Sequence, residues 1–247
     1  MVVKKPLKIS LIVVGIVALM LGGFLAWILY QFRDMRVGST ARITDSLYII
    51  KCGMANAYVV RSGAQAIVFD AGTGTEAIAN GFSELGLNPA MVTAVFLTHS
   101  DDDHIGGLTL FPKAKVYLSR NEAAYLDGRA LRHFLFYARK NTLPVPEYLT
   151  LSDGDRVTVG VTAVQAIMTP GHTAGSMSYL ADNMLFTGDL CLVKDGVVEP
   201  MVSFVTENVA GDIESIRAIA RLSGIKYLCT AHSGVCVDVD AALAKWR

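Results

Sequence analysis

Neither sign of charge is in excess in this chain: 22 lysines and arginines face 22 aspartates and glutamates over 247 residues. A protein that follows a phosphate backbone needs a basic face, so nucleic acid is not expected as a partner. Cysteine is sparse and unpatterned. Cys52, Cys191, Cys229 and Cys236 have no CxxC spacing, give no readable disulfide framework, and read as small apolar core residues. Short-period repeats and low-complexity tracts are missing too. Histidine is held to five positions, which makes each placement informative.

Charge disappears altogether from Ile9 to Tyr30, ISLIVVGIVALMLGGFLAWILY. At about 1.5 Å per helical residue this run spans a hydrocarbon core of about 30 Å, with Trp27 and Tyr30 placed for the interfacial belt. A buried core helix would keep a polar face. A cleaved signal, the alternative, has a shorter apolar stretch of roughly 7–15 residues with a small-residue cleavage site close behind. Residues 1–36 are therefore read as a single-pass N-terminal anchor and connector, and 37–247 as the folded domain. Lys4, Lys5 and Lys8 before the span nearly balance Arg33, Arg36 and Arg42 after it. The tighter lysine cluster favours a cytoplasmic N-terminus and an extracytoplasmic domain.

Beyond the connector, apolar β-rich pieces (Ser46–Ile50, Ala57–Val60, Ala66–Phe69, Val92–Leu97) alternate with helical stretches such as Glu76 to Leu85. Asn121 to Lys140 reads as mostly helical, broken by Pro144 and Pro146. Further strands follow, from Arg156 to Met168 and from Lys226 to Cys229. Asn208 to Leu222 reads as an amphipathic helix, and Asp238 to Trp246 as a terminal one. Two halves alike in plan argue for an α+β fold of two mixed β-sheets packed together, with helices on the outer faces.

The polar motifs lie just past strand ends, where a rigid scaffold presents reactive side chains. His99, His104, His172 and His232 stand there; His133 lies instead in the helical stretch RALRHFLFYARK. One such histidine would be read as structural. Four with acids, glycine or threonine beside them point to a metal site. The pattern His99-x-Asp101-x-Asp103-His104, then Gly171-His172-Thr173, then Thr187-Gly188-Asp189, then Ala231-His232, resembles the metallo-β-lactamase superfamily from about Leu47 to Ser233. That resemblance implies a four-layer αββα sandwich and two divalent metal ions, zinc first. His99, Asp101 and His172 would hold one ion, Asp103, His104 and His232 the other, and Asp189 would bridge.

The family normally has histidine where this chain has Asp101. As a ligand, Asp101 would lower the net charge of a two-ion centre from two to one, so that bound water is acidified less. A hard oxygen donor also moves the preference toward iron or manganese. Asp70, in the turn Phe69-Asp70-Ala71-Gly72, would orient a ligand or stabilise its turn; Asp102 would be solvated; Cys191, two residues after Asp189, could lie near the centre or pack in the core. Tyr125, Phe136 and Tyr137 could wall a cleft, with plain packing the competing reading. Gly72-Thr73-Gly74 is too short for a nucleotide loop.

The expected activity is hydrolysis of a small ester, lactone or thioester by a metal-bridging hydroxide, with Asp103 as catalytic proton carrier. The branch acting on antibiotics is expected to carry cysteine at the bridging position, where this chain has Asp189. Members acting on RNA or on the glutathione thioester of a hydroxy acid usually carry additions that are not seen after His232. A non-haem iron redox enzyme and a membrane-displayed binding domain are the alternatives. Oligomeric state is not legible.

Overall fold

A computed structural model describes residues 5–134 and 137–247, residues 5–10 by their backbone alone. Lys4, one basis of the orientation expectation, and Phe136, a proposed cleft residue, lie outside the described residues. The chain forms two compact units, Met1–Met35 and Arg36–Arg247. In the first, helix α1 (Lys5–Phe32) includes Leu11–Phe32, a stretch long and apolar enough to cross a membrane, none of it buried.

The second unit opens with β1 (Ala41–Arg42), β2 (Leu47–Cys52), β3 (Ala55–Ser62), β4 (Gln65–Phe69), helix α2 (Thr75–Glu84) and β5 (Val92–Phe96). Then come the short helix α3 (Asp102–Ile105), β6 (Lys115–Ser119), helix α4 (Ala123–Asp127), β7 (Arg132–Phe134), β8 (Tyr137–Arg139) and β9 (Leu149–Leu151). The second half comprises β10 (Arg156–Val159), β11 (Thr162–Met168), β12 (Met177–Ala181), β13 (Met184–Gly188), β14 (Cys191–Lys194) and β15 (Val197–Pro200). Helix α5 (Val209–Ala220), β16 (Tyr227–Thr230), β17 (Gly234–Cys236) and helix α6 (Val239–Ala242) complete it. A seven-stranded sheet in the order β1-β2-β3-β4-β5-β6-β9 faces a six-stranded sheet in the order β10-β11-β12-β13-β16-β17. Both are mixed: β4, β5, β6 and β9 pair in parallel, as do β13 and β16, and the remaining pairs are antiparallel.

Three apolar clusters account for the layers. Leu47, Ile49, Tyr58, Val60, Ile67 and Phe69 point to the second sheet, while their neighbours Tyr48, Ile50, Val59 and Val68 point to α2. A strand buried on both faces reads as a continuous apolar run rather than an alternation, as β2 to β5 do. Where the sheets meet, the rings of Phe69 and Phe186 stack at 3.8 Å, joined by Phe96, Tyr117 and Tyr179. Such pairs contribute about 0.5–1.5 kcal/mol each beyond area burial. On the far side, Ile216 and Ile219 of α5 and Val239 and Ala242 of α6 pack with Leu185 and Leu228. The result is the four-layer αββα sandwich.

One stretch differs from its sequence reading. Among the described residues, Asn121 to Lys140 is helical only over Ala123–Asp127; beyond it β7 and β8 pair antiparallel. Gly128, at φ 82°, ends the helix in the left-handed region open to glycine. Beyond it Arg132 is buried and His133 exposed, the alternation of a strand.

Candidate metal centre

The parallel strands β4, β5, β13 and β16 all deliver their following residues to one end of the sandwich, where open sheets commonly bind ligands. Two buried tyrosines tie these strand ends across the sheets. Tyr179 on β12 donates to the Leu97 carbonyl at 2.8 Å, just before His99, and Tyr58 on β3 donates to the Thr230 carbonyl at 2.7 Å, just before His232. The two motif loops farthest apart in sequence are thus anchored reciprocally.

All seven residues singled out from the sequence come together here. His104 Nε2 lies 3.2 Å from Asp189 Oδ1 and 3.8 Å from Asp103 Oδ2. His232 Nε2 lies 3.0 Å from Asp189 Oδ1 and 3.5 Å from Asp103 Oδ2. On the other side, Asp101 Oδ2 is 3.6 Å from His99 Nε2 and 3.3 Å from His172 Nε2, which is itself 3.6 Å from Asp189 Oδ2. Ligand-type atoms of His99, Asp101 and His172 fall within 4.8 Å of one another, and so do those of Asp103, His104 and His232. His133 is exposed and takes no part among these groups.

For His104 and His232 the ring nitrogen facing away from the centre is already engaged. His104 Nδ1 lies 2.9 Å from Asp70 Oδ2, and His232 Nδ1 lies 2.7 Å from the Met54 carbonyl. Donation through Nδ1 leaves Nε2 as the acceptor, the arrangement a ligating imidazole requires. Asp70 is held in turn by the Thr98 amide and hydroxyl, both at 2.8 Å. Its backbone φ of 54° and that of Gly72, 64°, make the tight turn; at Gly72 a side chain would collide with Cys52. His99 Nε2, His104 Nε2 and Asp189 Oδ1 are buried with no hydrogen-bond partner. An orphaned buried polar atom costs about 1–3 kcal/mol, and a divalent cation would satisfy all three. These residues fit a metal ion.

Electrostatics agree. Burial would lower the proton affinity of His104, but Asp70, Asp189 and Asp103 outweigh it and raise its pKa well above the usual value. Burial would raise the Asp189 carboxyl; His232 and His104 instead hold it well below the ordinary range. The His104 imidazole would give up its proton as a metal ion binds, and the Asp189 carboxylate is already ionised to receive the ion.

Asp101 is engaged differently from its neighbours. As the residue before α3 it makes no capping bond. Its carboxylate receives Arg132 Nε at 3.1 and 3.0 Å, one bond to each oxygen, and Asn141 Nδ2 at 3.3 Å. Burial would raise its pKa, but bonds from His172 and His99 and the Arg132 charge hold it well below normal. Arg132, Asn141 and Glu122 did not stand out in the sequence. Glu122 is fully buried and accepts from the Ser100 amide (2.8 Å), the Ser100 hydroxyl (2.6 Å) and the Thr173 hydroxyl (2.7 Å). It links the loop of His99 to the loop of His172. Asp102 is exposed and pairs with Arg139 at 2.7 Å; Cys191 packs in the outer apolar cluster. A groove of about 510 Å³ opens beside Arg132, lined by His133, Phe134, Tyr137 and Ala138 of β7 and β8 and by Phe204, Thr206 and Glu207. Tyr125 is buried and donates to Glu207 at 2.5 Å, which makes it packing rather than lining.

The family model "Metallo-beta-lactamase superfamily" matches residues 50–232. A Bacillus subtilis protein described as a "Probable polyketide biosynthesis zinc-dependent hydrolase" is 36% identical over 127 residues, covering 50% of this chain and 48% of that one. A hydroxyacylglutathione hydrolase of Aeromonas hydrophila is 32% identical over 100 residues, 39% of this chain and 32% of that one. The chain thus spans about half or less of these relatives' length. Among solved structures, a metallo-beta-lactamase family protein of Thermus thermophilus shares the fold at a TM-score of 0.64 and 23% identity, covering 83% of this chain and 79% of that one.

Proposed function

We propose that this chain, which belongs to the metallo-beta-lactamase superfamily, is a membrane-anchored, metal-dependent hydrolase of a small ester, lactone or thioester. One observation carries the reading: buried, unsatisfied nitrogens of His99 and His104 and an unsatisfied oxygen of Asp189 converge between Asp103 and His232. Asp103, His104 and His232, with Asp189, would hold a divalent ion. Such an ion, when bound, acidifies water into a nucleophile and polarises the substrate oxygen. Zinc suits this nitrogen-and-carboxylate set.

The chain's own residues do the rest. Asp70 and the Met54 carbonyl fix the imidazoles of His104 and His232, so the geometry exists before substrate arrives. Asp103, less buried than its neighbours, is placed to carry a proton to the leaving group. The groove along β7 and β8 with its mixed lining suits a small acyl substrate, and the hydroxyacylglutathione hydrolase likeness supports a thioester within that class. A diiron centre would need Asp101 as a free ligand; its carboxylate is committed to Arg132.

The full chain, assayed on a panel of small esters, lactones and thioesters, is expected to hydrolyse at least one, and Asp189→Ala to abolish that turnover. Near-native rates in the variant would refute the mechanism. Anchoring rests on α1, with the catalytic domain outside the cytoplasm. The chain is expected to stay with membranes through alkaline carbonate extraction and to be cut by protease added outside the cell; release into the supernatant, or protection from that protease, would contradict it.

A further inference from the structure

The half of the centre nearest His99 and His172 contains a cation supplied by the chain itself. Arg132 is fully buried. Its Nη2 lies 3.0 Å from Asp101 Oδ2 and 3.0 Å from His172 Nε2, two of the three ligand-type atoms that would define a first metal position. From these contacts we infer that the Arg132 guanidinium takes the place of the first ion, so that the protein binds a single metal ion, at Asp103, His104, His232 and Asp189. This inference rests on the metal-dependent reading above and specifies its site.

The guanidinium is built in on every side. Nε donates to both Asp101 oxygens, Nη1 to the His133 carbonyl at 3.1 Å, and Nη2 to the Val205 carbonyl at 2.7 Å. Glu207 Oε1 lies 3.3 Å from Nη1, and the Phe134 ring lies 4.6 Å from the guanidinium carbon. Glu207 is itself held by the Tyr125 hydroxyl at 2.5 Å and the His133 amide at 3.1 Å. The planar fork of arginine matches carboxylate geometry, whereas an imidazole at position 101 would offer one acceptor and no compensating charge. Aspartate at that position and arginine on β7 therefore belong together.

Space and charge both exclude an ion beside it. Arg132 Nη2, a donor with no lone pair, lies 3.0 Å from His172 Nε2 and 3.0 Å from Asp101 Oδ2, where the ligands of a first ion would have to meet. A second divalent ion would be placed in contact with a buried positive group. His99 Nε2, within 4.8 Å of the ligand atoms of His104 and Asp189, can serve the same single ion.

The test is the metal count of the full chain in detergent, stripped with chelator and titrated with cobalt(II), read by ligand-field absorption and by elemental analysis. One cobalt per chain is expected for the wild type and for Arg132→Lys, which keeps the charge, and two for the double variant Asp101→His/Arg132→Met. A second ion of comparable affinity in the wild type would mean that Arg132 swings aside, and would overturn the inference while leaving the hydrolase reading intact. A double variant that folds and still takes one ion would overturn it as well. No bound ion in the wild type would remove the metal-dependent reading itself. If the double variant does not fold, the wild-type count decides alone.

Discussion

Three of the acidic side chains buried around the centre do three different jobs. Asp70 holds a histidine in one tautomer. Glu122 ties two loops together through two hydroxyls and an amide. Asp101 neutralises Arg132, and removing one partner of such a buried pair typically costs about 3–5 kcal/mol. Another, Asp212 at the start of α5, is buried with no side-chain partner for either carboxylate oxygen. Burial first, and then the charge of Asp189, pushes its carboxyl from 3.8 up to about 8, against the opposing amides of Met201 and His172. Between those two values the folded chain holds a proton that the unfolded chain has released. The contribution of Asp212 to the stability of the metal-free protein should therefore fall as pH rises from 3.8 to about 8 and level off above. Urea midpoints across that range should fall more steeply with pH in the wild type than in Asp212→Asn. An unchanged slope in the variant would assign the dependence to other groups.

At the scale of elements, strands were the legible part of the sequence. The doubly buried β2 to β5 announce themselves as apolar runs, and α2 and α5 appear within a residue or two of their expected limits. The seven metal-type residues were legible for the same reason: each follows a strand directly, so local sequence alone places it at the sheet end. Arg132 was not. It lies 31 residues from Asp101, in a segment whose apolar residues recur at helical spacing, and an arginine in such a pattern reads as the solvated face. What defeats the helix is Gly128 at φ 82° together with tertiary demand: Asp101, Glu207 and the Val205 carbonyl, from distant segments, draw Arg132 inward. Glu122 was hidden likewise, because its partners, Ser100 and Thr173, come from two separate loops.

Over the whole molecule, one apolar helix and one αββα sandwich divide the work. Each mixed sheet supplies parallel strand ends, and only their face-to-face packing brings His104 and Asp103 from one half against Asp189 and His232 from the other. The reactive centre is thus a property of the assembled sandwich, which neither half contains alone. If these residues work through a metal ion, the sharpest check is turnover of the best substrate from the ester, lactone and thioester panel by one preparation in three states. The untreated full chain should hydrolyse it, chelation should abolish the rate, and added zinc should restore it. A rate that survives complete removal of metal would contradict a metal-dependent mechanism.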